Sequence, residues 1–431
     1  MVETCGEPVH KRRLIHAGGV IDAFGLHLSP AAVLVDGGVV RAVGSPASIG
    51  RPGGVVVEDW AGSLLMPGLV NAHAHLDLSG AGVWPPAGED FRGWVGRVRD
   101  LRAAASLADV RAAVSRGIDL SLAGGTACIG DIAGHPPGPS IDLLRASPLR
   151  GTSFIECFGI GRGQAAALRR MQETLAAMTE YDRGIRIGIS PHAPYSCGPE
   201  MFAAAATSGR PVMTHLAETP AELELLQHGS GPLRDMLEHD IGVWDAEVTC
   251  PAAHPVDVLL PALKAARAVC VHVNWLEPAH VDTLAAAGAR VVYCPRASAA
   301  FGHAPPRLPR HPWAALRAAG VRVGLGTDSL LCLDTPDRIS VLDDMRLLRR
   351  RDGVDGLTLL DMATRSGADV LDLRPDLVRL GPQVAGLLAV PCSGVDAPGM
   401  LEDALSRSDA PVWAVAPSAG APQGGATPGK S

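Results

Sequence analysis

Aromatic side chains are scarce, with 7 Trp, 3 Tyr and 6 Phe in 431 residues, so the core has to be built mainly from aliphatic groups. Long apolar runs are missing too. The basic run His10, Lys11, Arg12 and Arg13 precedes an apolar stretch that Asp22 interrupts, so neither a leader peptide nor a membrane span is expected. The nine cysteines are scattered from Cys5 to Cys392 without a C-x-x-C pair, which argues against a disulfide framework and a thiolate zinc site and suits a reducing cytoplasm. An excess of positive charge is also absent. With 38 basic and 45 acidic residues the net charge is −7, so no nucleic-acid partner is expected. What remains is a chain 47% hydrophobic and 19% charged, with 50 Gly and 35 Pro, the mixture of a large, loop-rich α/β enzyme.

Residues 13–66 are short Val, Ile and Leu runs cut by Gly and Asp, the pattern of hairpins with tight turns. From about residue 66 to 372, apolar runs alternate with Ala-, Leu- and Arg-rich stretches at helical spacing. The expected strands are Leu64–Val70, Ala127–Asp131, Gly151–Cys157, Arg186–Ile189, Val212–His215, Ala268–Val273, Arg290–Cys294 and Val321–Gly326. Eight strands with intervening helices predict an α/β fold, a (β/α)8 TIM barrel. The expected division is 1–66 and 376–416 as the two parts of a small β-sandwich, 67–375 as the barrel, and 417–431 as a disordered tail rich in Pro, Gly and Ala. The long segment from about Gly229 to Leu263 is expected to cover the mouth of the site.

The chemistry concentrates at strand ends. In "PGLVNAHAHLDLS", Pro67 to Ser79, His73 and His75 alternate at the end of an apolar strand, so both imidazoles can aim at one point, as zinc or ferrous iron requires. Two surface histidines at a strand end are the alternative for this pair taken alone. His215 ends another strand with Glu218 three residues on, "VGLGTDSL" ends in Asp328, and "AVCVHVNW" adds His272. Three histidines and a carboxylate make a metal shell that leaves a position open for water. Each of these residues alone reads equally as a satisfied polar group at a strand terminus; four strand ends all supplying ligand types favour the shell.

Taken together, "PGLVNAHAHLD", "SPHAPYS", "HLAET", "VHVNWL", "CPR" and "GTDSL" resemble, in order, the amidohydrolase superfamily and within it the mononuclear deaminases of cytosine, guanine, S-adenosylhomocysteine and aminodeoxyfutalosine. That resemblance implies one divalent metal ion on His73, His75, His215 and Asp328, with Zn2+ favoured and Fe2+ or Mn2+ able to take the same place. It implies Glu218 as the proton shuttle, His272 as the group that holds the attacking water, and Asp328 as the acceptor of its proton. A two-metal form bridged by a carbamylated lysine is disfavoured, because the chain has only Lys11, Lys264 and Lys430 and none follows a strand.

Four further residues are candidates for substrate contact. His192 in "SPHAPYS" either touches substrate or buttresses its loop. Arg296 could pair with a carboxylate or phosphate, or brace its loop by bonding carbonyls. Glu156 could hydrogen-bond sugar hydroxyls or take a basic partner, and Trp94 either walls the pocket or packs inside a helix. The residues after "GTDSL", Leu331, Cys332, Leu333 and Asp334, and the Ala-rich loop after "CPR" depart from the pattern of relatives; both are specificity loops.

The resulting expectation is a metal-dependent aminohydrolase acting on an amino-substituted nitrogen heterocycle, with 6-aminodeoxyfutalosine of menaquinone synthesis as the leading substrate. Deaminases of S-adenosylhomocysteine, methylthioadenosine, guanine or cytosine are the near alternatives, followed by hydrolysis of a cyclic amide or a ring C–Cl bond. A non-catalytic barrel is the most distant reading. The expected partner is the small-molecule heterocycle, and the resemblance implies a homodimer.

Overall fold

A computed structural model describes residues 12–88, 90–303 and 310–418. Most of the expected tail, residues 419–431, therefore lies outside the described residues, as do His10, Lys11 and Lys430.

The ends of the chain share one sheet. Arg13–Ile21, Ala31–Asp36, Val39–Gly44 and Val56–Pro67 from the N-terminal part join Leu387–Pro391 and Val412–Val415 in a seven-stranded arrangement completed by the short His27–Leu28. The turn between the second and third long strands is Gly37–Gly38, both at positive φ, as a two-residue hairpin matching the strand twist requires. Ile15, Val33, Val35, Leu65, Leu387 and Ala389 pack as one buried cluster on this sheet.

The remaining α/β part is built on parallel strands: Leu69–His75 (β1), Thr126–Ala133 (β2), Arg150–Cys157 (β3), Ile185–Pro191 (β4), Met213–Leu216 (β5), Val269–His272 (β6), Arg290–Tyr293 (β7) and Arg322–Leu325 (β8). Neighbours in sequence are neighbours in space. β1 through β4 pair in order, as do β5 through β8, and the Ile189–Val212 bridge joins the two runs. Beyond β8, Asp328 and Ser329 pair with Ala74 and His75 of β1, so the short segment that follows β8 lies against the first strand. Every residue of β1 and β2 is buried, which explains why these strands read as continuous apolar runs rather than alternating ones.

The first expected strand, Leu64–Val70, is two strands. Leu64–Pro67 pairs with Leu387–Pro391 in the terminal sheet, while Leu69 opens β1. The break falls where Pro67 offers no donor and Gly68 gives its N–H to Gly386 O; Leu69 N then bonds Gly125 O in the other layer. A side chain at residue 68 would meet Ala127 Cβ at 2.5 Å, so only glycine passes between the layers. No helix among the described residues is long and apolar enough to cross a membrane.

Candidate active site

The carboxyl ends of β1, β5 and β6 and the turn after β8 deliver six ionisable side chains to one place. His73 and His75 stand on β1, His215 on β5 and His272 at the end of β6; Glu218 follows β5 and Asp328 follows β8. The His73 ring centroid lies 4.9 Å from that of His75, 5.0 Å from His215 and 5.9 Å from His272. His75 Nε2 is 3.6 Å from Asp328 Oδ1, and His272 Nε2 is 3.4 Å from Glu218 Oε1.

Local structure fixes these positions. Asn71 Oδ1 accepts from Thr327 N, its amide donates to Thr327 Oγ1, and Thr327 N also reaches His73 O, so the Asp328 turn is tied to β1. Ser329 N donates to Asp328 Oδ1 at 2.7 Å. The Nδ1 of His215 bonds the carbonyl of His192 at 2.9 Å, which orients the ring and leaves Nε2 free for the cluster. Asp328, His272 and Ala217 all hold positive φ (61°, 71° and 49°), a strained conformation for residues with a Cβ and one that collects at functional sites.

Burial sets the electrostatics. It lowers the pKa of His73, His75, His192 and His272 well below the ordinary imidazole value, raises the Glu218 carboxyl well above its usual range and pushes Asp328 up to about 7. Neutral imidazoles are the ligand form, and a cation among them would pull the carboxylates back down. The donor set fits such a cation. Within each of three sets (His73, His215 and His272; His73, His75 and Asp328; Glu218, His272 and Asp328), one ligand atom per residue lies within 4.8 Å of the others. His73 Nε2 and His272 Nε2 are buried with no hydrogen-bond partner among the described residues, a cost that a metal ion or the water beside it would remove.

The model of the amidohydrolase family matches residues 64–382. The chain belongs to that family. An aminodeoxyfutalosine deaminase of Deinococcus radiodurans is 30% identical over 86% of this chain and 88% of its own length. A 5-methylthioadenosine/S-adenosylhomocysteine deaminase of Halobacterium salinarum is 29% identical over 85% of this chain and 81% of its own. Among solved structures, the Helicobacter pylori aminofutalosine deaminase in complex with methylthio-coformycin is 20% identical and superposes with a TM-score of 0.76, covering 93% of this chain and 97% of that one. As an amidohydrolase with deaminase relatives, the chain is a hydrolase of carbon–nitrogen bonds other than peptide bonds.

The cluster opens into a cavity of about 460 Å3. His192 and Glu156 stand on its wall with their ring nitrogen and carboxylate 4.0 Å apart, and Trp94 contributes to the wall from the helix Phe91–Ala104 (α1). Arg296 does not reach the cavity. Its N–H and Nε bond Asp344, Nη1 bonds Asp334 and Thr335, and Nη2 bonds Ser340 O, so the whole fork is spent bracing the loop after β8 and none is left for an anionic substrate. The segment after Gly229 supplies Met236, Leu237, Ile241 and Val243 to the cavity wall.

Arg102 was missing from the sequence-based set. Its Nη1 donates to Glu156 Oε2 at 2.7 Å and its Nε to Asp77 Oδ2 at 3.0 Å, fastening α1 to the ends of β3 and β1. A signal existed: Phe91, Trp94, Val95, Val98 and Arg102 recur at helical spacing and all line the cavity, a face that ends in a charge rather than in another apolar residue.

Proposed function

We propose that the chain is a metal-dependent aminohydrolase that replaces an exocyclic amino group of a nitrogen heterocycle by oxygen, with 6-aminodeoxyfutalosine as its leading substrate. The observation that carries this reading is the convergence of His73, His75, His215, His272, Glu218 and Asp328 from separate strand ends on one buried point. His73, His75, His215 and Asp328 would hold a single divalent cation, zinc being favoured by three imidazoles and one carboxylate. When bound, that cation supplies the Lewis acidity that activates water at neutral pH.

The side chains supply the rest. Glu218, whose carboxyl burial raises above its usual range, gives a proton to the ring nitrogen beside the reacting carbon, then takes one from the oxygen that has added and passes it to the departing amine. His272 holds the attacking oxygen through Nε2, and Asp328 accepts the proton released by it. His192 and Glu156 bind the substrate edge within the cavity, and Trp94 walls it. The same reading takes β1–β8 as a closed (β/α)8 barrel over 67–375, supported by the bridge between β4 and β5 and the return of Asp328 to β1. It takes 1–66 and 376–416 as the β-sandwich. Cytoplasmic residence is supported by the eight described cysteines, all unpaired.

Methylthioadenosine or S-adenosylhomocysteine deamination is the second reading, favoured by the Halobacterium relative. Ammonia release from 6-aminodeoxyfutalosine, methylthioadenosine and S-adenosylhomocysteine, with added Zn2+, separates the two. The Glu218→Gln variant is expected to keep its metal and lose most turnover, about 10^2-fold or more. No ammonia from any amino-heterocycle overturns the deaminase reading.

A further inference from the structure

We infer that Glu222 and Asn274 are positioning residues that lock the main chain carrying Glu218. The inference rests on Glu218 moving protons as proposed above. Glu222 is fully buried, yet no basic side chain among the described residues pairs with its carboxylate; Oε1 accepts from Ala217 N at 3.1 Å and Oε2 from Glu218 N at 2.9 Å. On the other side, Asn274 Nδ2 donates to Glu218 O at 3.1 Å, and Ser298 Oγ fixes that amide through Asn274 Oδ1. Trp275 N bonds Ala217 O at 3.1 Å. Both backbone polar groups of Ala217 and both of Glu218 are thus bonded, to partners from the helix Pro220–His228 and from the segment after β6.

This is more than a helix start needs. Thr219 already caps the helix by accepting from Glu222 N, and a buried carboxylate is costly to keep among apolar neighbours. What it secures is the left-handed turn at Ala217, which a residue with a Cβ avoids when unconstrained and which sends the Glu218 side chain to within 3.4 Å of His272 Nε2. A group that takes a proton at one substrate atom and returns it at another has to be held to a few tenths of an ångström. The job also selects the residue type. Two neighbouring N–H groups need two acceptor oxygens; glutamine at 222 has one, and its NH2 would face a donor. Asn274, by contrast, must donate, so aspartate there would set a carboxylate against a carbonyl.

The experiment compares Glu222→Gln, Glu222→Asp, Asn274→Ala and Glu218→Gln as zinc-loaded full-length proteins, reading metal content, kcat, KM and the pH dependence of kcat. Glu222→Gln is expected to keep one metal per chain and a KM within about threefold of the parent, to lose about 10^2-fold in kcat, and to shift the limb of the pH profile that Glu218→Gln removes. Glu222→Asp, which retains both acceptors, is expected to recover part of the loss, and Asn274→Ala to lose about tenfold in kcat. If Glu222→Gln fails to fold, Asn274→Ala decides. A Glu222→Gln or Asn274→Ala enzyme with parental kcat and pH profile overturns the inference, as does one in which metal and KM are lost together with kcat. Failure of the underlying reading looks different: Glu218→Gln itself would retain turnover.

Discussion

At the scale of single residues, the site is held together by groups that a substitution exposes at once. Gly326 sits where a Cβ would lie 2.9 Å from His73 Cβ, 3.0 Å from His73 O and 2.8 Å from Val292 Cγ1. Gly326→Ala therefore has to push β1 away from Asp328; we expect a loss of about 1–3 kcal/mol in stability and reduced zinc content, measurable by denaturant unfolding and elemental analysis. His311 makes a second residue-scale prediction. Its Nε2 donates to His272 O at 2.6 Å, its ring stacks on Tyr293, and burial holds its pKa down to about 3. The unfolded chain takes up a proton near pH 6.5 and the folded chain does not, so stability present above that pH is lost as pH falls towards 3. Between pH 7 and pH 5 this one group removes about 2 kcal/mol, and His311→Gln should flatten the dependence by that amount. An identical pH dependence in the two proteins would remove His311 as its cause.

The clustered side chains were legible because each stands at or just past the end of an apolar strand and is of a type that strand ends seldom collect by chance. For Arg296 the sequence leaves substrate pairing and loop bracing open, because the partners that favour bracing, Asp344 and Ser340, lie more than 40 positions away and nothing local marks them.

At the scale of elements, two pieces outside the strands wall the cavity. Helix α1 brings Phe91, Trp94, Val95 and Val98, and the segment Met236–Val243 faces it with Met236, Leu237 and Ile241. They are fastened by Arg92, whose Nε and Nη2 each bond the Asp240 carboxylate at 2.8 Å, and by Arg99 Nη1 on Asp240 O. The pair is partly exposed and screened by solvent, so it adds little to stability. Arg92→Ala is therefore expected to unfold like the parent and to keep zinc, while KM rises by up to about fivefold and becomes less sensitive to salt. An unchanged KM at low ionic strength would show that the pair does not shape the cavity. Strand positions came through in the sequence because β1–β8 are buried on both faces. The division of Leu64–Val70 did not, because its partner strand Leu387–Pro391 is over 300 residues away.

At the scale of the whole molecule, the strand order that brings His73 of β1 beside Asp328 means that a metal ion held there would couple its binding to folding. A ligand that binds only the folded chain stabilises it by about 4 kcal/mol at a concentration a thousand times its Kd. Removal of zinc by a chelator should therefore lower the melting temperature and abolish turnover together, and restored zinc should recover both. A metal-free protein as stable as the loaded one would separate the cluster from the fold. The alternation of strand and helix made the α/β architecture legible, whereas the pairing of the two chain ends in a single sheet left only short apolar runs as its trace.

The most direct measurement is anomalous diffraction at the zinc edge from crystals of the zinc-loaded protein. One peak per chain is expected, bonded by nitrogens of His73, His75 and His215 and by an oxygen of Asp328; a peak elsewhere, two peaks at the site, or three imidazoles turned away from a common centre would contradict the account.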